Sequence, residues 1–498
     1  MDAIQNLLLG FAVALTPQNL LLALVGSVLG TLIGVLPGLG PAAGSAMLIP
    51  LTFQMSPTGA IIMLTALFYG TQYGGTITSV LLNVPGEAAS AITCLDGYAM
   101  AKQGRAGIAL SLAAVGSFIG GTFATIALVL AAGPLTRWAL EFGPVEFFSL
   151  IILGLSLLMG LAGTSMVKAL LMGIFGLLLA MIGIDPIRGL PRFTFGRMEL
   201  LDGIGFVPVI MGLFGLAEIL ANAEKPFAKM VLARMSSLIP TRQDLGDSVG
   251  PILRGSLIGT LLGLVPGITN TASSFVAYVA ERKSSKHPER FGTGMLAGVV
   301  GPETANNAHA NGALIPLFTL GIPASPTIAV IMGAFLMHGL IPGPLLFKEH
   351  PDVAWGVIAS FYVGNIILLI LNLPLIGIWV KILKIPYGIL SAIILAFMVL
   401  GAYSVSNSAF DVGVMTLFGV IGYILRKLDF PLAPVVLTLI LGPLMERSLR
   451  QSLEISQGSL GVFLKSPIAV VFLALAAAIL IAPFFNFFRQ GGSVGKGP

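Results

Sequence analysis

Charge is what this sequence has least of. Asp, Glu, Lys and Arg together make up 9% of its 498 residues, against about 25% in soluble domains. So few charges cannot cover the surface of a soluble protein of this length. Apolar residues reach 56%, and mean hydropathy is +0.98. Cysteine is nearly absent as well. The single Cys94 excludes an internal disulfide and a cysteine-built metal site, and buried packing is its simplest reading. No HExxH, GxSxG, phosphate-binding loop or His/Cys ligand cluster occurs. The chain therefore offers no catalytic constellation and no ATP-driven motor of its own. The N-terminus lacks a basic stretch, since Asp2 is its only charge. Its first apolar run reads as a retained helix, not a cleaved signal.

What is present is a series of apolar segments. Ala106–Ala132 and Ile468–Phe485 are nearly free of charge and long enough to cross a bilayer. The pattern predicts an all-α polytopic membrane protein with ten to twelve crossings plus hairpins or broken helices. The net charge of +5 does not point to nucleic acid, because the bases sit in short gaps between apolar runs, as cytoplasmic anchors do. One long polar stretch, Ala223–Val249, holds Lys225, Lys229, Arg234 and Arg242. It divides the chain into a first membrane repeat (1–222), a cytoplasmic linker (223–249), a second membrane repeat (250–446) and a C-terminal helix and tail (447–498). The Gly-rich end Arg489–Pro498 has the composition of a disordered tail.

The halves repeat each other. Gly30–Ala46 reads GTLIGVLPGLGPAAGSA and Gly259–Phe275 reads GTLLGLVPGITNTASSF, at an offset of 229. Leu81–Gly86 (LLNVPG) matches Thr319–Ala324 (TLGIPA), and Pro144–Gly154 matches Pro386–Ala396. In four of five pairs of corresponding loops the charge character is opposite. Lys102–Arg105 is basic and Leu340–Gly343 uncharged; Thr52–Ser56 is uncharged and Glu281–Arg290 basic. The exception pairs Arg188, Arg192 and Arg197 with Arg426 and Lys427. Opposite loop charge places corresponding loops on opposite faces, which makes the repeats inverted.

Each half carries a Pro-Gly break inside an apolar helix. Proline removes a donor and glycine permits backbone geometry that other residues resist. At membrane depth the freed polar groups must face protein or a wet site. The segment Arg254–Ala280, with basic flanks on both sides and arms of about 12 residues, reads as a re-entrant hairpin with its tip at Pro266–Thr271. The mirror element lies at Pro37–Pro41. Helix N-termini past the tips would hold an anion and freed carbonyls a small cation; plain packing kinks are the other reading. The second breaks are at Asn83–Glu87 and Leu320–Pro326, and before them lie the polar runs YGTQYGGTITS (69–79) and GPETANNAHANG (301–312). Such runs are costly in hydrocarbon unless they line a cavity or glue helices together. Candidate substrate-binding residues are Pro37, Gly38, Leu39, Gly40, Thr76, Thr78, Ser79, Pro266, Gly267, Thr269, Asn270, Thr271, Asn306, Asn307, His309 and Asn311. Candidate coupling-ion residues are Gly38, Asn83, Gly267, Glu303 and Gly321. His309 reads first as a structural histidine, then as a substrate donor and last as a proton carrier. Glu303 reads as an ion site or a half-helix cap, and Asp96 and Glu87 as interfacial and structural. Gly26, Gly30 and Gly34 have the spacing of close helix packing.

These segments, with DGYAMAKQGRAG at 96–107, resemble the large membrane subunit (TctA) of the tripartite tricarboxylate transporter family. The resemblance covers nearly the whole chain. It implies a bacterial inner-membrane permease working with a small membrane subunit and a periplasmic solute-binding protein. It implies uptake of tri- or dicarboxylates such as citrate, driven by a Na⁺ or H⁺ gradient, with no other cofactor. Rival readings are a stand-alone carrier, a passive channel for small organic anions and, without a visible catalytic cluster, a membrane enzyme.

Overall fold

A computed structural model describes residues 3–36, 40–161, 165–185, 188–224, 238–382 and 387–490. The first half opens with α1 (Ala3–Ala14), α2 (Pro17–Val35), α3 (Pro41–Thr52) and α4 (Pro57–Leu82). Prolines start α2, α3 and α4, where the missing N–H costs nothing and φ is already helical. Next come α5 (Thr93–Lys102), α6 (Ala106–Ala139), α7 (Pro144–Leu161) and α8 (Met166–Ala180). A two-residue ladder, β1 (Gly183–Ile184) with β2 (Pro191–Arg192), is the one sheet among the described residues. Then α9 (Phe206–Ile210) runs through a π turn at Met211–Leu216 into α10 (Ala217–Ala223).

The second half opens with α11 (Arg242–Gly263), α12 (Asn270–Ser284), α13 (Ala297–Gly312) and α14 (Leu314–Leu320). It continues with α15 (Pro326–Met337), α16 (Pro344–Glu349), α17 (Pro351–Asn372), α18 (Ile376–Ile382), α19 (Tyr387–Ser406), α20 (Ala409–Lys427) and α21 (Ala433–Ile455). The chain closes with α22 (Val462–Lys465) and α23 (Pro467–Gln490). The protein is an all-α membrane protein. Among the described residues, five helices are long and apolar enough to cross a bilayer: Pro17–Val35, Ala106–Ala139, Phe206–Ala223, Pro351–Asn372 and Ala409–Lys427. Six shorter apolar helices accompany them, by the same criteria of composition.

The repeat is written in the packing. A Cβ added to Gly26, Gly30 or Gly34 of α2 would strike the main chain of Met63, Leu67 or Thr71 of α4. In the second half, Gly255, Gly259 and Gly263 of α11 meet Gly301, Ala305 and His309 of α13 in the same way. The glycines differ by 229 and their partners by 238, the two offsets seen in the sequence. The breaks repeat too. Asn83 (φ 57°) ends α4 and Gly321 (φ 73°) ends α14, both left-handed caps and 238 apart.

The counterpart helices α4 and α13 also touch each other. Thr76 meets Glu303, and one turn earlier Gln72 meets Asn306. Numbering falls in α4 as it rises in α13, so the two run antiparallel. Corresponding helices in opposite directions are what inverted repeats require.

The hairpin arms differ from expectation. The first arm, α11, has 22 residues, not about 12, because it starts at Arg242 inside the polar stretch read as linker. The cause is local chemistry. Thr241 accepts from the Asp244 N–H while Asp244 accepts from the Thr241 N–H, a reciprocal capping box. Arg105, at the start of α6, then pairs with Asp244 (2.6 Å).

Two charged clusters fasten the halves together. Asp96 of α5 is fully buried. Its Oδ1 accepts from the N–H groups of Gly292 (2.9 Å), Gly294 (2.9 Å) and Met295 (2.7 Å), and its Oδ2 from the Tyr278 hydroxyl (2.9 Å). A first-half carboxylate thus gathers the α12–α13 loop of the second half, in keeping with the structural reading of Asp96. The other cluster joins Arg192 of β2 to Glu446 of α21 (2.8 Å), with Arg450 bridging Glu446 and Asp185. The Arg192 hydrogen bond holds the Glu446 carboxyl below its usual range, against partial burial and with added attraction from Arg450. A lowered folded-state value stabilises the fold above the unfolded-state value near pH 4.3, and the gain is lost as pH falls through the lower folded value. Melting temperature of the detergent-purified protein should fall on acidification through that window. Glu446→Gln should start lower at neutral pH and lack that part of the fall; superimposable profiles would refute the role.

Candidate functional site

The second Pro-Gly break forms the tip of the α11–α12 hairpin. Gly267 sits at φ +92°, and a Cβ there would lie 2.7 Å from the Leu157 carbonyl of α7. Its N–H donates to the Ala324 carbonyl (3.0 Å). The tip therefore rests on the second break of its own half. Two helices begin at this junction. Thr269 caps α12 by accepting from Ala272 N–H (3.2 Å), and Ser325 caps α15 by accepting from Ile328 N–H (3.3 Å).

Between them opens a cavity of about 300 Å³, lined by Gly267, Ile268, Thr269, Ser325 and Pro326, with Arg426 and Glu218 among its walls. Leu158, Phe214 and Phe430 give it apolar sides. Arg426 comes from the last turn of α20 and pairs with Glu218 of α10. Two helix N-termini and a guanidinium on one concavity favour a small anion. The apolar sides and volume suit an organic one. Thr271 is half-buried in the first turn of α12, and Pro266 lies on the tip. The counterpart tip residues Pro37, Gly38 and Leu39 lie outside the described residues. Gly40, the cap position of α3, has open space where a side chain would go.

Behind the tip lies a buried polar core. Glu303 of α13 accepts from Thr76 (2.6 Å) and Thr93 (2.5 Å). Asn306 donates to Glu87 of the first-half break (2.6 Å), and Asn270 of α12 donates to the Asn306 carbonyl (3.1 Å) and Oδ1 (3.2 Å). Thr76 of the first half and Asn270, Glu303 and Asn306 of the second thus form one network, joined by Gln72 and Glu87. Asn307 turns to Ser117 of α6 (2.7 Å), and Asn311 to the Asn307 carbonyl (3.2 Å). His309 Nδ1 meets Ser273 (2.7 Å). Thr78 and Ser79 bond the Gly75 carbonyl of their own helix and do not join the network. Asn83 is exposed and Gly321 half-buried at their helix caps.

Comparison with known proteins decides the family. The model of the tripartite tricarboxylate transporter TctA family matches residues 20–437. The chain belongs to that family. It is 48% identical over 491 residues, 98% of both chains, to an uncharacterized 52.8 kDa Agrobacterium vitis protein from the TAR-I ttuC′ 3′ region. It is also 47% identical over 232 residues to an uncharacterized protein of the TAR-II ttuC′ 3′ region of that organism, covering 47% of this chain and 96% of the relative. No solved structure matches. Membership makes the chain a multi-pass membrane component of a transport system. The family is one of transporters, not of enzymes, and its systems are tripartite.

Against this family background, sequence reading missed Arg426, Glu218, Ser325 and Gln72 as site residues. Signals existed for two of them. Arg426 stands in the one loop pair that broke the charge alternation. Ser325 is the counterpart of Glu87 at the 238 offset.

Proposed function

We propose that this subunit imports tri- or dicarboxylates across the bacterial inner membrane, driven by a Na⁺ or H⁺ gradient. Substrate would reach it from a periplasmic solute-binding protein, and a small membrane subunit would complete the complex. The observation that carries the proposal is the cavity where the capped N-termini of α12 and α15 converge beside Arg426. First-turn N–H groups of Asn270 and Thr271 have no intrahelical partners to donate to. Together with the Thr269 and Ser325 hydroxyls they supply donors for carboxylate oxygens, and Arg426 supplies charge. Glu218 holds Arg426 in place, and a bound carboxylate would compete with it. The coupling ion is assigned to the Glu303 region behind the tip, with no other cofactor.

The test is a panel of radiolabelled tri- and dicarboxylates, citrate included, in proteoliposomes with and without the binding protein, under Na⁺ or pH gradients. We expect saturable, gradient-dependent uptake of at least one. Arg426→Gln should raise its half-saturation concentration about 10–100-fold, the range expected for losing a charged hydrogen bond. Uptake without the binding protein would favour the stand-alone carrier, and non-saturating flux the passive channel. An unchanged half-saturation in Arg426→Gln would remove this cavity as the site.

A further inference from the structure

A second, much smaller cavity lies next to Thr76, the partner of Glu303, where α4, α6, α17 and α18 meet. Its volume is about 10 Å³, room for one water-sized sphere. The polar side chains lining it are Tyr73 and Thr76 of α4, Ser117 of α6 and Asn372 of α17, with Ile77 and Leu110 among its apolar walls. All four polar residues are buried, none more than 5% exposed. Each hydroxyl already donates its one hydrogen elsewhere. Tyr73 donates to Asn365 Oδ1 (3.3 Å), Thr76 to Glu303 Oε2 (2.6 Å) and Ser117 to the Glu303 carbonyl (3.3 Å). The Asn372 nitrogen donates to the Leu368 carbonyl (2.9 Å). That bond fixes the amide, because turning it over would set Oδ1 against the carbonyl oxygen. Among the described residues no donor reaches Asn372 Oδ1.

What these groups offer the cavity is lone pairs: three hydroxyl oxygens and one amide oxygen. Ser117 keeps one lone pair, since Asn307 Nδ2 takes the other (2.7 Å). A water has two hydrogens and can satisfy two of the four acceptors. A bare cation satisfies all four. The charge nearby points the same way. Glu303 is 1% exposed, and among the described residues no Lys, Arg or His pairs with it. A buried carboxylate without a counter-charge is costly. A cation on Thr76 Oγ1 would stand one hydrogen bond from Glu303 and supply that charge. The neighbouring acid, Glu87, is held by Asn306 instead (2.6 Å). Neutral oxygens backed by one carboxylate suit a monovalent ion, because divalent ions draw carboxylates or keep several waters. The cavity has no room for a hydration shell or for a large ion.

We infer that Tyr73, Thr76, Ser117 and Asn372 form a binding site for one dehydrated Na⁺, balanced through Thr76 by Glu303. Of the coupling-ion candidates read from the sequence, only Glu303 belongs to it; Asn83, Gly267 and Gly321 at the helix breaks do not line this cavity. The ion would join α4 and α6 of the first half to α17 of the second. It reaches the substrate cavity along α13, where Glu303 holds Thr76 and, one turn on, Asn306 accepts from Asn270 in the first turn of α12. The ion's role in coupling rests on the transport reading. Its binding is measured without transport, so the two can fail separately.

The experiment is binding of radioactive Na⁺ to the purified, full-length protein by scintillation proximity, with choline holding ionic strength constant. Wild type should bind Na⁺ saturably. Unlabelled Na⁺ should displace it, while K⁺ and ammonium at the same concentration should not. Asn372→Leu keeps the size of the side chain and removes its oxygen, and it should weaken binding about 10–100-fold, the range expected for losing one contact to a charge. Ser117→Ala should weaken binding in the same direction, and it serves as the second variant should Asn372→Leu not remain monodisperse. Ser404→Ala, on an exposed face of α19, should bind as wild type does. Absence of saturable Na⁺ binding would mean that the cavity holds water only, and would overturn the site. Binding that Asn372→Leu and Ser117→Ala leave unchanged would overturn it too. Displacement by K⁺ as effective as by Na⁺ would overturn the choice of ion. Carboxylate uptake driven by a pH gradient in a protein that binds no Na⁺ would sink this inference and leave the transport reading standing.

Discussion

Gly267→Val should abolish carboxylate uptake while leaving the protein in the membrane at normal abundance. Two independent penalties act at this residue. At φ +92° a β-branched side chain is a conformational outlier, costing on the order of 1–2 kcal/mol. Its Cβ would also stand 2.7 Å from the Leu157 carbonyl, so either α7 or the tip must move. A tip that moves breaks the Gly267–Ala324 hydrogen bond and pulls the Thr269 and Ser325 caps apart, so the convergence of the two helix ends is lost. Membrane abundance by immunoblot and uptake on the same vesicles separate misplacement from misfolding. Gly246→Ala is the control. It lies on α11 with nothing near its added methyl, and it should transport normally. Near-normal uptake by Gly267→Val would mean that the tip does not shape the site.

Asp96→Ala should be the most destabilising substitution between the halves. It removes the common acceptor of three loop N–H groups and the Tyr278 hydroxyl. Hydrogen bonds to a charged group contribute about 1.5–3 kcal/mol each, and a donor stranded in a buried place costs about 1–3 kcal/mol. Gly292 and Thr293 are exposed, so part of the loop regains water. We therefore expect a loss of about 2–4 kcal/mol in total, less than the sum of the four bonds. Asp96→Asn keeps one acceptor oxygen and should fall between wild type and Asp96→Ala. Thermal unfolding in detergent reads both. Equal melting temperatures for all three proteins would show that the loop is held by other contacts.

Much of the architecture was legible because it is written as repetition. The two Pro-Gly frames and the LLNVPG/TLGIPA pair lie at offsets of 229 and 238. The structure reproduces both offsets in a duplicated glycine stripe and in a duplicated left-handed cap. Glycine spacing survives in sequence because close helix approach admits no substitute. The polar run 301–312 was legible for a similar reason: its residues are all buried, and Asn306 and Glu303 had to find partners.

What was illegible depends on tertiary pairing. Nothing local shows that Asn270 would meet Asn306 or that Gln72 would lie against Glu87, since each pair is brought together by tertiary packing within its own half, or that Asn306 would reach Glu87 across the repeat boundary. Arg426 looks like an ordinary basic residue ending an apolar helix, and only Glu218 and the tip beside it give it a role. The arm length of α11 was misjudged because apolar periodicity stops at about Gly250, whereas the Thr241–Asp244 capping box extends the helix through polar sequence.

The central claim is that a carboxylate is held at the junction of the α11–α12 tip and the α15 N-terminus and is moved by an ion gradient. The most direct measurement is initial-rate uptake of the labelled carboxylate panel in proteoliposomes containing this chain, its small membrane subunit and its binding protein, with the gradient imposed or collapsed. The account predicts saturable uptake of a carboxylate that ceases when the gradient is collapsed and when Gly267→Val replaces the wild-type chain. Uptake that continues unchanged under either condition would contradict it.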